Sequence, residues 1–215
     1  FFSDGYRNEA VTMEEISGGG FIILMNSVIQ NSDADQPKEK IILVKIDEYG
    51  REIDRDYYPE IGTNDKRWRA HSLTLLDGGG YLITGESIND VKSSLLVMRT
   101  DSDENLKTGD VNVHFETGQF STIGRATAIR RTSNSDNGNL LFLASSQDPV
   151  GRMVIGELNQ SNLSMIWTLS RGKDAFSELT PKLFYNEPAD EMIWGGTVIR
   201  AENERSDIRF TKNEV

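Results

Sequence analysis

Cysteine is absent from the 215 residues, and histidine occurs only twice. The first absence removes disulfides, thiolate zinc sites and thiol catalysis. It leaves the compartment open, because reducing and exported bacterial settings both hold cysteine-free chains. The second leaves His71 and His114 as the only imidazoles for metal or acid–base work. They fall in different strand-like segments with no second ligand at a familiar spacing, so no metal and no cofactor is expected. Basic residues are also short. With 23 Lys and Arg against 34 Asp and Glu the net charge is -11. That balance offers no footprint for a polyanion and argues against nucleic acid and against direct binding to an anionic membrane surface. Long apolar runs are missing too: FIILMNSVI at 21–29 is broken by Asn26 and Ser27, well short of the ~20 residues of a membrane-spanning helix. The chain opens at Phe1 without a charged segment followed by an apolar one, which reads as a processed or excerpted product with any signal segment upstream.

What is present is an ordinary globular composition, 37% hydrophobic before its 19 glycines are added, enough for a substantial core. It is arranged as a repeat. ISGGGFIILMNS (16–27) and LDGGGYLITGES (76–87) are related by a step of 60, and SDNGNLLFLASS (135–146) and ADEMIWGGT (189–197) are weaker copies. Each is followed by a second phrase, as in ILVKIDEYG (42–50) and LVMRTDSDE (96–104). Taking Asp47, Asp101, Asn159 and Glu214 as equivalents gives steps of 54, 58 and 55, so four units account for nearly the whole length. A fixed period of this size is the mark of a repeat architecture.

Within a unit the residues read as short strands, with no stretch holding helical periodicity for three turns. The Asp77-Gly78-Gly79-Gly80 and Asp47-Glu48-Tyr49-Gly50 segments sit between apolar runs, where glycine supplies the positive φ of a tight turn. Each unit is therefore a four-stranded antiparallel meander: strand a at 11–16, b at 21–25, c at 41–46 and d at 53–58 in the first. The sequence predicts an all-β chain, a β-propeller of about four such blades at 10–69, 70–125, 126–178 and 179–215, within a single domain. Residues 1–9 are expected to serve as strand d of the last blade or of another. The ring then closes with four blades, or the chain is part of a larger propeller.

Ala70, Ser72, Leu73, Asp77, Gly79, Gly80, Tyr81, Gly85 and Ser87, together with Leu43, Val44, Lys45, Asp47 and Gly50, carry a resemblance. The chain resembles a family of bacterial β-propeller repeats, of the general four-stranded-blade kind typified by WD40 and kelch, found in exported and lipid-anchored proteins. The likeness covers most of the chain and weakens in units three and four, where Asn139 follows a single Gly138 and Glu157 stands in the lysine position. It implies propeller architecture and residence in the cell envelope, at the outer membrane or cell surface through an upstream lipid anchor, or in the periplasm.

Chemistry is harder to find. Ser27, Ser87, Ser146 and Thr197 recur once per unit, which marks them as architectural, since a catalytic site needs one set of groups. Met25, Gly85, Ala144 and Gly195 form a column small in three of its four members, suited to close packing. Gly18, Gly19 and Gly20 lead into a strand instead of a helix, so a phosphate loop fails on context. Asp101, Asp103 and Asn105 open like a calcium loop, but Leu106 takes its glycine position and Asn112 that of its bidentate glutamate.

The breaks in the repeat are more informative. The long polar segment 30–40 and the connection from Tyr57-Tyr58-Pro59 to Lys66-Arg67-Trp68-Arg69 lie on one face of a propeller, and the second is dense in aromatic and basic residues. Tyr, Trp and Arg are enriched at binding hot spots, so Tyr57, Tyr58, Arg67, Trp68 and Arg69 are the candidate binding residues. The opposing reading is that Trp68 and Tyr57 pack between blades. The expectation attached to the binding reading is that Trp68→Ala with Arg67→Ala leaves folding intact and weakens partner binding. Two functions stand: a non-enzymatic scaffold module holding a protein partner, such as an outer-membrane complex, or a surface-glycan-binding or carbohydrate-active propeller using carboxylates at the channel mouth.

Overall fold

A computed structural model describes residues 7–29, 38–58, 67–76, 79–89, 92–100, 106, 108–114, 123–130, 139–146, 152–171, 176–186, 191–200 and 206–214. They are all-β. The first sheet is formed by β1 (Arg7–Glu15), β2 (Phe21–Ile29), β3 (Lys38–Ile46) and β4 (Glu52–Tyr58) in sequence order. The second holds β5 (Arg67–Leu75), β6 (Tyr81–Asn89), β7 (Lys92–Thr100) and β8 (Thr108–His114). The third holds β9 (Ile123–Arg130), β10 (Leu140–Ser146), β11 (Arg152–Leu158) and β12 (Met165–Arg171). The fourth has three strands, β13 (Phe176–Asn186), β14 (Glu191–Arg200) and β15 (Ser206–Glu214). Every pairing is antiparallel between consecutive strands.

The turns explain why the meanders form. Gly19 and Gly20 take φ of +89° and +100°, and Gly79 and Gly80 take +85° and +87°, a region L-residues avoid. Both turns close with the same backbone bonds, Ile16 with Gly19 and Gly20, and Leu76 with Gly79 and Gly80. The turn from third to fourth strand is also repeated. The Asp47 carboxylate accepts from the Tyr49 and Arg51 amides at 2.9 and 2.7 Å, and the Asn159 side chain accepts from the Ser161 amide at 2.8 Å, so both residues organise the turn through their own side chains.

Register repeats as well. The fourth strand carries one extra residue opposite Lys45/Ile46, Arg99/Thr100 and Glu157/Leu158 in the first three sheets. The first strand is bulged in all four. Such bulges bend and twist a strand locally.

The sheets stack in chain order. β5 packs across β1, β2 and β3; β9 across β5, β6 and β7; and β13 across β9, β10 and β11. The extensive contacts thus run through the first strand of each sheet, whereas β4, β8 and β12 lie at the far edges. The layer between the first two sheets buries Ile22, Leu24, Ile41, Leu43 and Tyr58 against Trp68, Leu73, Tyr81, Ile83, Leu96 and Met98. The next buries Leu82, Leu95 and Val97 against Leu140, Phe142, Ala144 and Val154. Two-sided burial is why the third strands read as continuous apolar runs.

One expectation is corrected here. Arg7, Asn8 and Glu9 pair with Val28, Ser27 and Asn26, so they begin the first strand of the first sheet and are not a fourth strand of another. β1 extends this far because Asn26 to Val28 continue β2 and offer it a partner edge. Phe1 to Tyr6 lie outside the described residues.

Candidate functional site

Gly85 sets the geometry of the second sheet's inner edge. A Cβ built on it would stand 2.0 Å from the Arg69 carbonyl oxygen and 2.9 Å from the Ala70 Cα, so only glycine lets β5 approach β6 this closely. At that point the register shifts between Ala70 and Ser72, leaving His71 as the extra residue of the bulge. Bulges re-aim side chains, and β5 is an edge strand, so polar groups can leave it sideways.

Four of them meet there. His71 Nε2 lies 3.2 Å from Glu86 Oε1. Arg69 reaches the same oxygen at 3.6 Å and Glu39 Oε2, on the first sheet, at 2.7 Å. The Glu86 and Glu39 side chains are only 12% and 13% exposed, whereas Arg69 is 42% exposed. Beside them, Asn26 of β2 donates to the Ala70 carbonyl at 3.0 Å and accepts from the Ala70 amide at 2.7 Å. Its amide copies a strand's hydrogen-bonding edge and pins the two sheets together.

Burial alone would raise the Glu86 pKa. The hydrogen bond from His71, the charges of His71 and Arg69 and a hydrogen bond from Ser93 outweigh it and hold the carboxyl below its ordinary value of 4.5. A group with a depressed pKa stabilises the fold above its unfolded pKa and loses that contribution as pH falls through the folded value. Glu86→Gln is therefore expected to cost about 1–3 kcal/mol at neutral pH. The difference from wild type should shrink as pH drops below about 4.5, checked by urea unfolding across that range. A constant difference from pH 7 to pH 3 would refute the ionised pairing.

The sequence-predicted binding residues divide. Tyr58 and Trp68 are 1% and 6% exposed within the layer between the first two sheets. The Tyr58 hydroxyl donates to the Leu106 carbonyl. Both pack between the first two sheets, which for Trp68 is the reading opposed to binding. Tyr57 is half-buried on the opposite face of the first sheet, beside Met25, Ile42 and Val44, and its hydroxyl accepts from Arg55 at 3.1 Å. Arg67 is half-buried at the start of β5, and Arg69 joins the cluster above. The structure thus brings Arg69 together with His71, Glu86 and Glu39. Sequence reasoning left His71 without a partner and did not select Glu86 or Glu39. The signal was the hairpin register: Ala70 opposite Gly85 sets His71 beside Glu86. His114 lies on β8 and Trp194 on β14, their side chains outside the described set. Asp101, Asp103 and Asn105, the segments 30–37 and 59–66, and residues 134–138 also lie outside it.

No family model matches the sequence, and no curated protein matches it significantly. Among solved structures, a point mutant of NanB sialidase from Streptococcus pneumoniae superposes with a TM-score of 0.60 at 12% identity. The fold is shared with part of that sialidase. The match covers 96% of this chain and 31% of that one, so the chain spans about a third of its length. At this identity the likeness concerns the fold alone.

Proposed function

We propose that the four sheets are consecutive blades of a β-propeller and that the chain is a non-enzymatic binding module of a bacterial cell-envelope protein. The radial pattern of sheet contacts, close at the first strands and absent from the fourth among the extensive pairs, supports the propeller reading. The state of Glu86 speaks against that carboxyl as a general acid, and the scarcity of histidine in the sequence favours the non-enzymatic reading. A general acid at neutral pH needs a carboxyl pKa raised towards 7, and Glu86 is held below its ordinary value by its hydrogen bond with His71 and the interactions around it. Its cluster is a structural tie between sheets. The neighbour's sialidase activity is not carried over.

The binding surface proposed is the start of β5 at Arg67, beside the half-exposed Arg69 that bridges Glu39 and Glu86, with Trp68 and Tyr58 buried beneath. In a chain of net charge -11, Arg67 favours an acidic protein segment as partner, since guanidinium groups favour bidentate carboxylates. Export and anchoring through an upstream lipid belong to the same proposal and rest on the family resemblance. The test is affinity purification of the tagged full-length protein from its native envelope in mild detergent. Arg67→Ala is expected to lower partner recovery several-fold while the far-UV spectrum stays that of wild type. Unchanged recovery would sink the surface. Turnover of a fluorogenic sialoside by the purified chain would sink the non-enzymatic reading.

A further inference from the structure

β4 ends its sheet and, among the described residues, pairs with β3 alone. Such an edge offers a row of outward amides and carbonyls to which another extended chain can add. Which amides point outward follows from the turn. The Asp47 amide donates to the Arg51 carbonyl at 2.8 Å, and from that pair onward hydrogen-bonded and non-hydrogen-bonded pairs alternate along the ladder. Ile46 faces Glu52, Lys45 faces the bulge at Asp54, and Val44 and Ile42 face Arg55 and Tyr57. The last two pairs are of the non-bonded kind, so the Arg55 and Tyr57 amides point away from β3.

Both of these amides are already bonded within the strand. The Arg55 amide donates to Asp54 Oδ1 and the Tyr57 amide to Asp56 Oδ1, each at 2.8 Å. Each aspartate caps the amide that follows it. The same residue types recur in the same register of the second sheet, where Asp110 faces Arg99 and Asn112 faces Val97, as Asp54 faces Lys45 and Asp56 faces Leu43. The third sheet departs from this, with Trp167 and Leu169 opposite Glu157 and Ile155.

We infer that Asp54 and Asp56 hold the edge of β4 closed against pairing with β4 of a second copy of this chain. An edge strand meets its own copy about a two-fold axis, as an antiparallel pair. Setting Arg55 against Tyr57 of the second copy brings the two Asp56 side chains directly opposite each other. Setting Arg55 against its own counterpart brings Asp54 opposite Asp56. Like charges so placed repel, so the two residues that occupy the outward donors also charge the seam. Only the strand order of one sheet is needed for this, not the propeller reading.

Sedimentation velocity over a concentration series tests this on the 24.1 kDa chain. Asp54→Val with Asp56→Val puts strand-forming residues in place of both caps and is expected to tighten self-association at least tenfold over wild type. Glu15→Gln with Glu48→Gln removes the same charge from two exposed sites and is expected to sediment like wild type. Arg55→Pro added to the valine pair deletes an outward amide that the ladder does not use, and is expected to undo the gain. Amide exchange reads the cap without assembly: in dilute Asp56→Ala, Tyr57 is expected to exchange several-fold faster, after correction for intrinsic rates, while Arg55 keeps its wild-type protection. A valine variant that sediments like wild type, a gain that the glutamine pair matches or that survives Arg55→Pro, or unchanged Tyr57 exchange would overturn the inference.

Discussion

Trp68→Ala is expected to destabilise the protein by about 3–5 kcal/mol, the cost of emptying a buried indole site. Trp68 is 6% exposed and lies in one layer with Ile16, Leu24, Tyr58, Leu73 and Ile83. Cutting it to a methyl group opens a void that two hydrogen-bonded sheets cannot collapse to fill. Against a typical total stability of about 5–15 kcal/mol, the loss removes a large share, and roughly 6–20 °C of Tm in a chain of this size. Thermal unfolding followed by circular dichroism reads it directly. The sequence expectation that Trp68→Ala combined with Arg67→Ala leaves the fold intact is thereby corrected, since only the arginine of that pair is a surface substitution. Arg67→Ala alone is expected to stay within about 0.5 kcal/mol. A Trp68→Ala loss below about 1 kcal/mol would place the indole outside the layer.

Gly85→Ala is expected to cost about 3 kcal/mol, the upper end for forcing extra volume into a packed site. The atoms in the way, the Arg69 carbonyl at 2.0 Å and the Ala70 Cα at 2.9 Å, are backbone. No side-chain rotation relieves them, so β5 must move off β6. That movement carries Arg69 and His71 away from Glu86, and the pH-dependent part of stability assigned to Glu86 should disappear with it. Gly50 is the useful contrast. Nothing lies within 4 Å of a Cβ there, but its φ is +80°, so Gly50→Ala is expected to cost only the roughly 1–2 kcal/mol of a left-handed L-residue. Chemical denaturation of the two variants separates the mechanisms: equal losses, with the pH profile of wild type kept in both, would contradict the close approach at Gly85.

Local sequence determined a good deal of this protein. The DGGGY-type hairpins, the Asp47 and Asn159 turns, the strand runs and the repeat period were all legible, because each depends on residues within a few positions of one another. The need for a small residue at Gly85 was legible from its column as well. The faces were less so. Trp68 and Arg69 are neighbours of similar promise as binding residues, and which of them is buried depends on where the first sheet lies. Strand alternation separates two faces, but the bulge at His71 breaks the alternation at the very place where the polar cluster forms. Glu86 gave no sign of its role among 34 acidic residues. Its partners come from the two strands that flank it, His71 and Arg69 on β5 and Ser93 on β7, and its low pKa arises only when folding brings them within a few ångströms. Tertiary structure alone decided which side chains of neighbouring strands are closed between two sheets, because the partner of a sheet face is set by packing between distant segments and not by the residues of the face itself.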